Sequence, residues 1–312
     1  MAVTRLANLP PPGGSRSRVS VSERPPPGPR PSRVSVSGVN VLLLAPGSAT
    51  RVPVLRCADA LRAGARVEVV DVDSDAAVDA AVDGARESGA RLVVAGGEGP
   101  LRAVLRRMVR RSLPRAGERP PDLPVHRTVP DLPPVGILPV DPADGLVTWL
   151  GLPVEPEDVA TAVLGGVYRR LDLLRNDGGS VTLRAALLGG TDPGGRAVPW
   201  AARVDVDDTE LSDGTEALLA CGIGNAGRLD LVPGLTLVPD SDATDGVLEV
   251  GVAVPVGGGR VEVRRARGRA VAVTPVVEGA EVPFADDGVA GTLTRKRTWW
   301  MEHHAWAAYC VE

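Results

Sequence analysis

The sequence predicts an α/β fold in which a parallel sheet with helices on both faces is followed by a β-rich, sandwich-like half. Two observations lead to it. In the first half, short apolar runs of buried-strand character at residues 39–45, 66–72 and 91–95 alternate with segments of helical spacing. In the second half, from Ser180 onward, the pattern switches to two-residue alternation broken by turn signals such as Asp213-Gly214.

Taken in order, Val39-Asn-Val-Leu-Leu-Leu-Ala45 opens the folded part, and Pro46-Gly-Ser-Ala-Thr50 follows it as a turn. Residues 54–62 have helical spacing, and residues 66–72 return as a strand. Residues 73–88 form an alanine-rich helix for which Asp73 or Ser74 is the N-cap. The run Arg91-Leu-Val-Val-Ala95 then leads into Gly96-Gly-Glu-Gly-Pro100, and Leu101, Val104, Leu105 and Met108 recur on one helical face. Pro100 suits the first helical position, where its missing N–H costs nothing. This β-α-β-α-β order demands right-handed crossovers and a sheet covered on both faces. Its ligand edge lies beyond the C-terminal strand ends, where residues 45–48, Asp73 and residues 96–99 would meet.

Residues 112–134 are a Pro- and Arg-rich connector containing His126, read as a surface loop. Residues 135–139 return as a strand, residues 155–165 as a helix and residues 169–173 as a strand that crosses into the second half. Residues 1–37, rich in Pro, Ser and Arg and holding the hexapeptide Ser-Arg-Val-Ser-Val-Ser twice, read as a disordered tail. The expected domains are therefore 38–170 and 171–312.

Composition narrows the function. A net charge of −4 argues against a general nucleic-acid binder. Three widely spaced cysteines suit free thiols in a reducing cytoplasm. No apolar run approaches the roughly 20 residues needed to span a bilayer. The C-terminus gathers Trp299, Trp300 and Trp306 beside Arg295, Lys296 and Arg297. That grouping suits either peripheral contact with the inner face of a membrane or strand packing. His303 and His304 are adjacent, so in a regular strand they face opposite sides.

The chemistry concentrates at the glycine turn. Gly96, Gly97 and Gly99 permit close approach of backbone to ligand, and the following helix N-terminus is a natural place for phosphate. Glu98 in this turn would either hold a metal or accept hydrogen bonds from loop amides. The turn lacks the Lys-Ser/Thr pair of a P-loop and the Gly-x-Gly-x-x-Gly spacing of dinucleotide folds.

Gly96-Gly-Glu-Gly-Pro100 resembles the Gly-Gly-Asp-Gly-Thr signature of the diacylglycerol kinase catalytic-domain family, whose fold NAD kinases share. Leu150-Gly-Leu-Pro153, Gly224-Asn225 and Asp245-Gly-Val-Leu248 follow that family's phrases in order. The resemblance implies ATP and Mg²⁺ as cofactors and a diacylglycerol-like lipid as acceptor. It places Pro46, Ser48, Gly96, Gly97, Glu98, Gly99, Pro100 and Asp144 around the nucleotide. It gives Asp245 a magnesium ion, shared with backbone oxygens near Asp242 and Val247. A hairpin turn explains Asp245-Gly246 equally well. Glu98 and Asp287 are the expected catalytic carboxylates, Asp286 or Asp287 standing in for the family's glutamate base.

The phrases are also altered. Asp141 and Pro142 stand where the family has Gly and Thr, and an acid near a triphosphate repels it by about 1 kcal/mol at 4 Å in water. Val289 stands where the family has a glutamate base that deprotonates the lipid hydroxyl. Two functions follow: an ATP-dependent lipid kinase of reduced or lost activity, or an inactive kinase-fold protein that binds nucleotide, lipid or a partner.

Overall fold

The computed structural model describes residues 38–115, 118–141, 145–277 and 279–311. The residues read as a disordered tail, 1–37, lie outside the described residues. Residues 38–312 form one compact unit.

β1 (Val39–Leu44), β2 (Ala65–Val70), β3 (Arg91–Ala95) and β4 (Pro134–Leu138) pair in parallel, in the spatial order β4-β3-β1-β2. The helices are α1 (Val52–Arg62), α2 (Asp75–Ser88), α3 (Glu98–Ser112), the short α4 (Gly145–Trp149) and α5 (Pro156–Gly165). Alternation along β1 shows why its run is apolar throughout. Val41, Leu43 and Ala45 pack with Cys57, Leu61 and Val163 on one face. Leu42 and Leu44 pack with Val82, Leu101 and Leu105 on the other.

Of the two N-cap candidates for α2, Ser74 serves, its Oγ accepting the Ala77 N–H at 3.2 Å. The helix after the glycine turn begins at Glu98, with Gly97 as N-cap, two residues earlier than the sequence placed it. Arg106, Arg107 and Arg111 of α3 pair with Asp75, Asp79 and Asp83 of α2. Arg102 of the same helix is buried toward the second half, donating to the Val181 carbonyl and to Ser180.

β5 (Tyr168–Asn176) crosses residue 171 and is followed by β6 (Val181–Thr182) and β7 (Ala185–Leu188). Two strand pairs come next, β8 (Gly190–Thr191) with β9 (Ala197–Val198) and β10 (Ala202–Val206) with β11 (Thr209–Asp213). β12 (Ala220–Gly224) precedes the hairpin of β13 (Gly227–Val232) and β14 (Leu235–Ser241). β15 (Leu248–Val256) pairs with β16 (Arg260–Gly268), and β17 (Ala270–Pro275) follows. β18 (Val282–Asp286) and β19 (Val289–Leu293) form the last hairpin before β20 (Arg297–Tyr309).

Strand β20 joins the two halves. Ala307 and Ala308 pair in parallel with Pro134 and Val135 of β4, while Trp299 and Trp300 pair antiparallel with Val271 and Ala270 of β17. The result is one continuous run, β11-β10-β17-β20-β4-β3-β1-β2. A second sheet, β16-β15-β12-β7-β18-β19, stacks on its antiparallel end. Leu188, Ile223 and Val250 meet Val204, Val273 and Trp299 in the core between them. The α/β fold with a β-rich second half therefore stands as read.

Trp299 and Trp306 are fully buried in these cores, so they pack the fold. Of the two roles left open, these two indoles take the packing one, while the half-buried Trp300 lies under Arg175 and donates to Glu302. No helix among the described residues is long and apolar enough to cross a membrane. Burial pushes the thiols of Cys57 and Cys221 up to about 12, Cys57 with help from the Glu157 charge, which leaves both protonated and unreactive.

Candidate functional site at the strand ends

The expected ligand edge forms where β1, β3 and β4 end. Gly96 donates its amide to the Leu138 carbonyl at 2.9 Å, tying the glycine turn to the end of β4. Gly47 donates to Asp71 Oδ1 at 2.7 Å, so Asp71 rather than Asp73 links β2 to the first turn. Gly96 has φ +137°, and a Cβ there would lie 2.7 Å from Pro100 Cγ. Glycine is thus required at 96 by conformation and by the proline that follows it. At Gly99 an added Cβ would meet nothing within 4 Å, so this part of the turn is open.

Pro46 and Ser48 lie in the β1 turn, one strand from Gly96, Gly97 and Pro100. The Ser48 hydroxyl is buried without a hydrogen-bond partner among the described residues. A buried hydroxyl left unpaired is costly. The first turn of α3 has no side-chain cap and is open beside Gly99, and such a helix N-terminus can accept an anionic group. Asp144, the remaining residue expected there, lies outside the described residues.

Glu98 sits in the first turn of α3, 3.7 Å from Arg184 Nη1. Arg184 also donates its backbone amide to Asp287 Oδ1 at 2.9 Å, so the two expected catalytic carboxylates flank one arginine. Asp287 turns the β18–β19 hairpin with φ +46°. Its carboxylate also accepts the amides of Leu183 at 2.6 Å and Ala185 at 3.1 Å, and its side chain is 0 % exposed. Arg102 Nε lies 3.9 Å away and donates to the Val181 carbonyl. Burial pushes the Asp287 carboxyl above its usual range, against the three amides and Arg102 that pull it down. As placed, this carboxylate anchors three amides, and Val289 beside it is exposed. Asp286 is likewise buried, accepting Asn176 Nδ2 at 3.0 Å and Trp299 Nε1 at 3.3 Å.

Asp245 and Val247 belong to a second cluster. The Val247 amide donates to Asp245 Oδ1 at 3.1 Å, and Arg267 holds Oδ2 at 2.6 Å. Arg267 also meets Glu249 at 2.8 Å. A guanidinium therefore already neutralises Asp245 and Glu249, and the donor set as folded does not fit a magnesium ion.

The centre of this cluster is Asp172, the acid of Arg169-Arg-Leu-Asp-Leu173, a strand that follows the order of the resembled family but for which the sequence alone indicates no role. An acid in an apolar strand is the signal that should have drawn attention, since Asp is almost never buried unpaired. Asp172 is fully buried, and Oδ2 accepts the Gly246 amide at 2.7 Å. Oδ1 accepts the His304 amide at 2.7 Å and meets His303 Nδ1 at 2.9 Å. Asn225 of the Gly-Asn phrase donates to the carbonyls of Asp172 and Leu183, linking both clusters.

His303 and His304 overturn the expectation of opposite faces. The pairing of β20 with β5 skips between Glu302 and Trp306, a bulge. His304 takes φ +55° there, and the two rings stack with centroids 3.8 Å apart. The connector is also docked rather than loose. Thr128 donates to the buried Glu302, and the Leu132 amide donates to the Ala305 carbonyl at 2.8 Å.

The site therefore lies at the glycine-turn end of a parallel sheet that the β-rich half closes with its last strand. Residues 47–176 match the diacylglycerol kinase catalytic domain, which bears out the resemblance carried by the glycine turn. The crystal structure of a diacylglycerol kinase from Bacillus anthracis str. Sterne has the same fold, with a TM-score of 0.65 and 11 % identity. That likeness covers 88 % of this chain and 97 % of the other. A further crystal structure from that strain, provisionally assigned as a diacylglycerol kinase, gives a TM-score of 0.65 at 12 % identity over the same shares of the chains. No curated protein matches the sequence.

Proposed function

We propose that this chain binds ATP at the turn of Gly96, Gly97, Glu98, Gly99 and Pro100 and phosphorylates the hydroxyl of a diacylglycerol-like lipid. The observation that carries the reading is the unpaired, buried hydroxyl of Ser48 at the strand-end edge, within the matched catalytic domain. The first turn of α3 would hold phosphate oxygens, because a helix N-terminus favours negative charge, while the Gly96 amide stays with Leu138. Arg184 offsets the Glu98 charge that would otherwise repel a triphosphate. ATP would supply the phosphoryl group, and the protein's contribution is positioning and charge stabilisation.

A second reading rests on a specific observation. Asp287 is committed to three amides, and Arg267 covers Asp245. A fold with its base position held in this way binds nucleotide or lipid without transferring phosphate.

A titration with ATP, with and without Mg²⁺, on the wild type and Gly97→Ala tests the shared premise. Micromolar binding that Gly97→Ala abolishes supports the phosphate site; no binding at millimolar ATP overturns it. Radiolabelled ATP with diacylglycerol in mixed micelles then separates the two readings. Label in the lipid supports the kinase, and binding without label supports the second.

A further inference from the structure

The chain has three histidines, and all three line one cleft of about 770 Å³ between the connector and β20. His126 comes from the connector, while His303 and His304 come from the bulge. The His126 and His303 rings stand 6.5 Å apart between centroids, and the His303 and His304 rings 3.8 Å. One ligand atom from each of Asp172, His303 and His304 lies within 4.8 Å of the others.

The partners fix the tautomers. Asp172 is an acceptor, so His303 carries its proton on Nδ1, leaving a lone pair on Nε2. His304 Nε2 faces the Thr244 carbonyl at 3.2 Å, which only accepts, so that nitrogen is protonated and Nδ1 holds the lone pair. A buried carboxylate that holds one imidazole nitrogen while the other stays unprotonated is the arrangement that orients metal-binding histidines.

We propose that His126, His303 and His304 form a site for a transition-metal cation of the zinc class, with Asp172 orienting His303. Imidazole nitrogen suits Zn²⁺, Cu²⁺ and Ni²⁺, whereas Mg²⁺ and Ca²⁺ prefer oxygen. With metal–nitrogen bonds of about 2 Å, two imidazoles on one ion have centroids about 5 Å apart. An inward turn of the exposed His126 ring and a slight fanning of the stacked pair reach that spacing. Asp131 on the same cleft is paired with Arg127 and Arg170, which leaves Asp122 to counter the added charge. Such an ion would clamp the connector to β20, and the proposal does not depend on the nucleotide reading.

Titration of the metal-free full chain with Zn²⁺ in excess Mg²⁺, followed by calorimetry, tests it. The expected result is one Zn²⁺ per chain at micromolar affinity, weakened at least tenfold in His126→Gln and in His303→Gln. Co²⁺ in place of Zn²⁺ should give visible d–d absorption that His303→Gln removes. His126 is exposed, so His126→Gln keeps its fold even if His303→Gln does not; metal-free melting curves verify this. Absence of stoichiometric uptake, competition by Mg²⁺, or unchanged affinity in a folded His126→Gln would overturn the site.

Discussion

Gly246 donates its amide to Asp172 at 2.7 Å, and its missing side chain is what lets His303 reach the same carboxylate. A Cβ on Gly246 would lie 2.7 Å from His303 Nδ1, and the residue sits at φ +77°. The Asp-Gly phrase that resembles a metal site therefore has a packing duty of its own.

Gly246→Ala should destabilise the fold by about 1–3 kcal/mol through backbone strain, and further through displacement of His303. Urea unfolding at neutral pH reads the loss. An unchanged midpoint would show that the loop tolerates the side chain and that the contact is dispensable.

Asp287→Asn distinguishes an anchor from a base. An amide offers one acceptor oxygen and turns an NH₂ toward backbone donors, so stability should fall by about 2–3 kcal/mol. A base would instead lose turnover at constant stability. Measuring both unfolding and lipid phosphorylation on one preparation decides between them.

Asp286 should leave a mark on the pH dependence of stability. Burial raises its pKa above the usual carboxylate range, with Trp299 and Arg102 opposing. Its contribution to stability is therefore complete below the unfolded pKa and declines as pH rises through the folded one. Urea midpoints of Asp286→Asn between pH 4 and pH 8 should show less of this decline than the wild type. Parallel curves would mean that Asp286 does not titrate in that window.

Arg267→Ala should uncover Asp245 and Glu249 together. Burial raises the Glu249 pKa, with Asp245 adding to it and Arg267 opposing. Without the guanidinium, the two carboxylates become a site for a hard cation. Calorimetric titration with Mg²⁺ should detect binding in the variant and none at this position in the wild type. Equal heats in both proteins would remove Arg267 as the obstacle.

Trp306→Ala should cost roughly 3–5 kcal/mol, the range for truncating a large buried aromatic. Its indole donates to the Asp172 carbonyl at 2.9 Å, so that acceptor also loses a partner. A lowered melting temperature with unaltered vesicle association is the expected pair of results.

Much of the fold was legible because buried parallel strands and glycine turns depend on local sequence. Residues 39–45 and 91–95 are apolar on both faces for the reason the structure shows: each face meets helices. The glycine turn was readable for the same reason, since Gly96 answers to its own φ and to Pro100. The Asp172 cluster was not readable, because Gly246, His303 and Asp172 come from three distant segments. The bulge that stacks His303 on His304 was also hidden. It arises from the pairing of β20 with β5, and an even alternation rule assumes that no residue is skipped. Arg102 looked like its neighbours Arg106 and Arg107 because helical spacing shows a face but not what covers it. Here the start of β6 at Val181 covers it.

The pairing of Ala307 with Pro134 has a consequence for how the chain acquires its shape during synthesis. The parallel strands can align as soon as β4 has been made, but the neighbour that seals the β4 edge is the last strand to be translated among those described. Until it arrives, β4 offers open backbone groups to any extended segment, including one from a second nascent chain. Long-range closure of this kind is slow. A protein built this way depends on protection late in synthesis, and loss of β20 should convert it from a folding chain into an aggregating one.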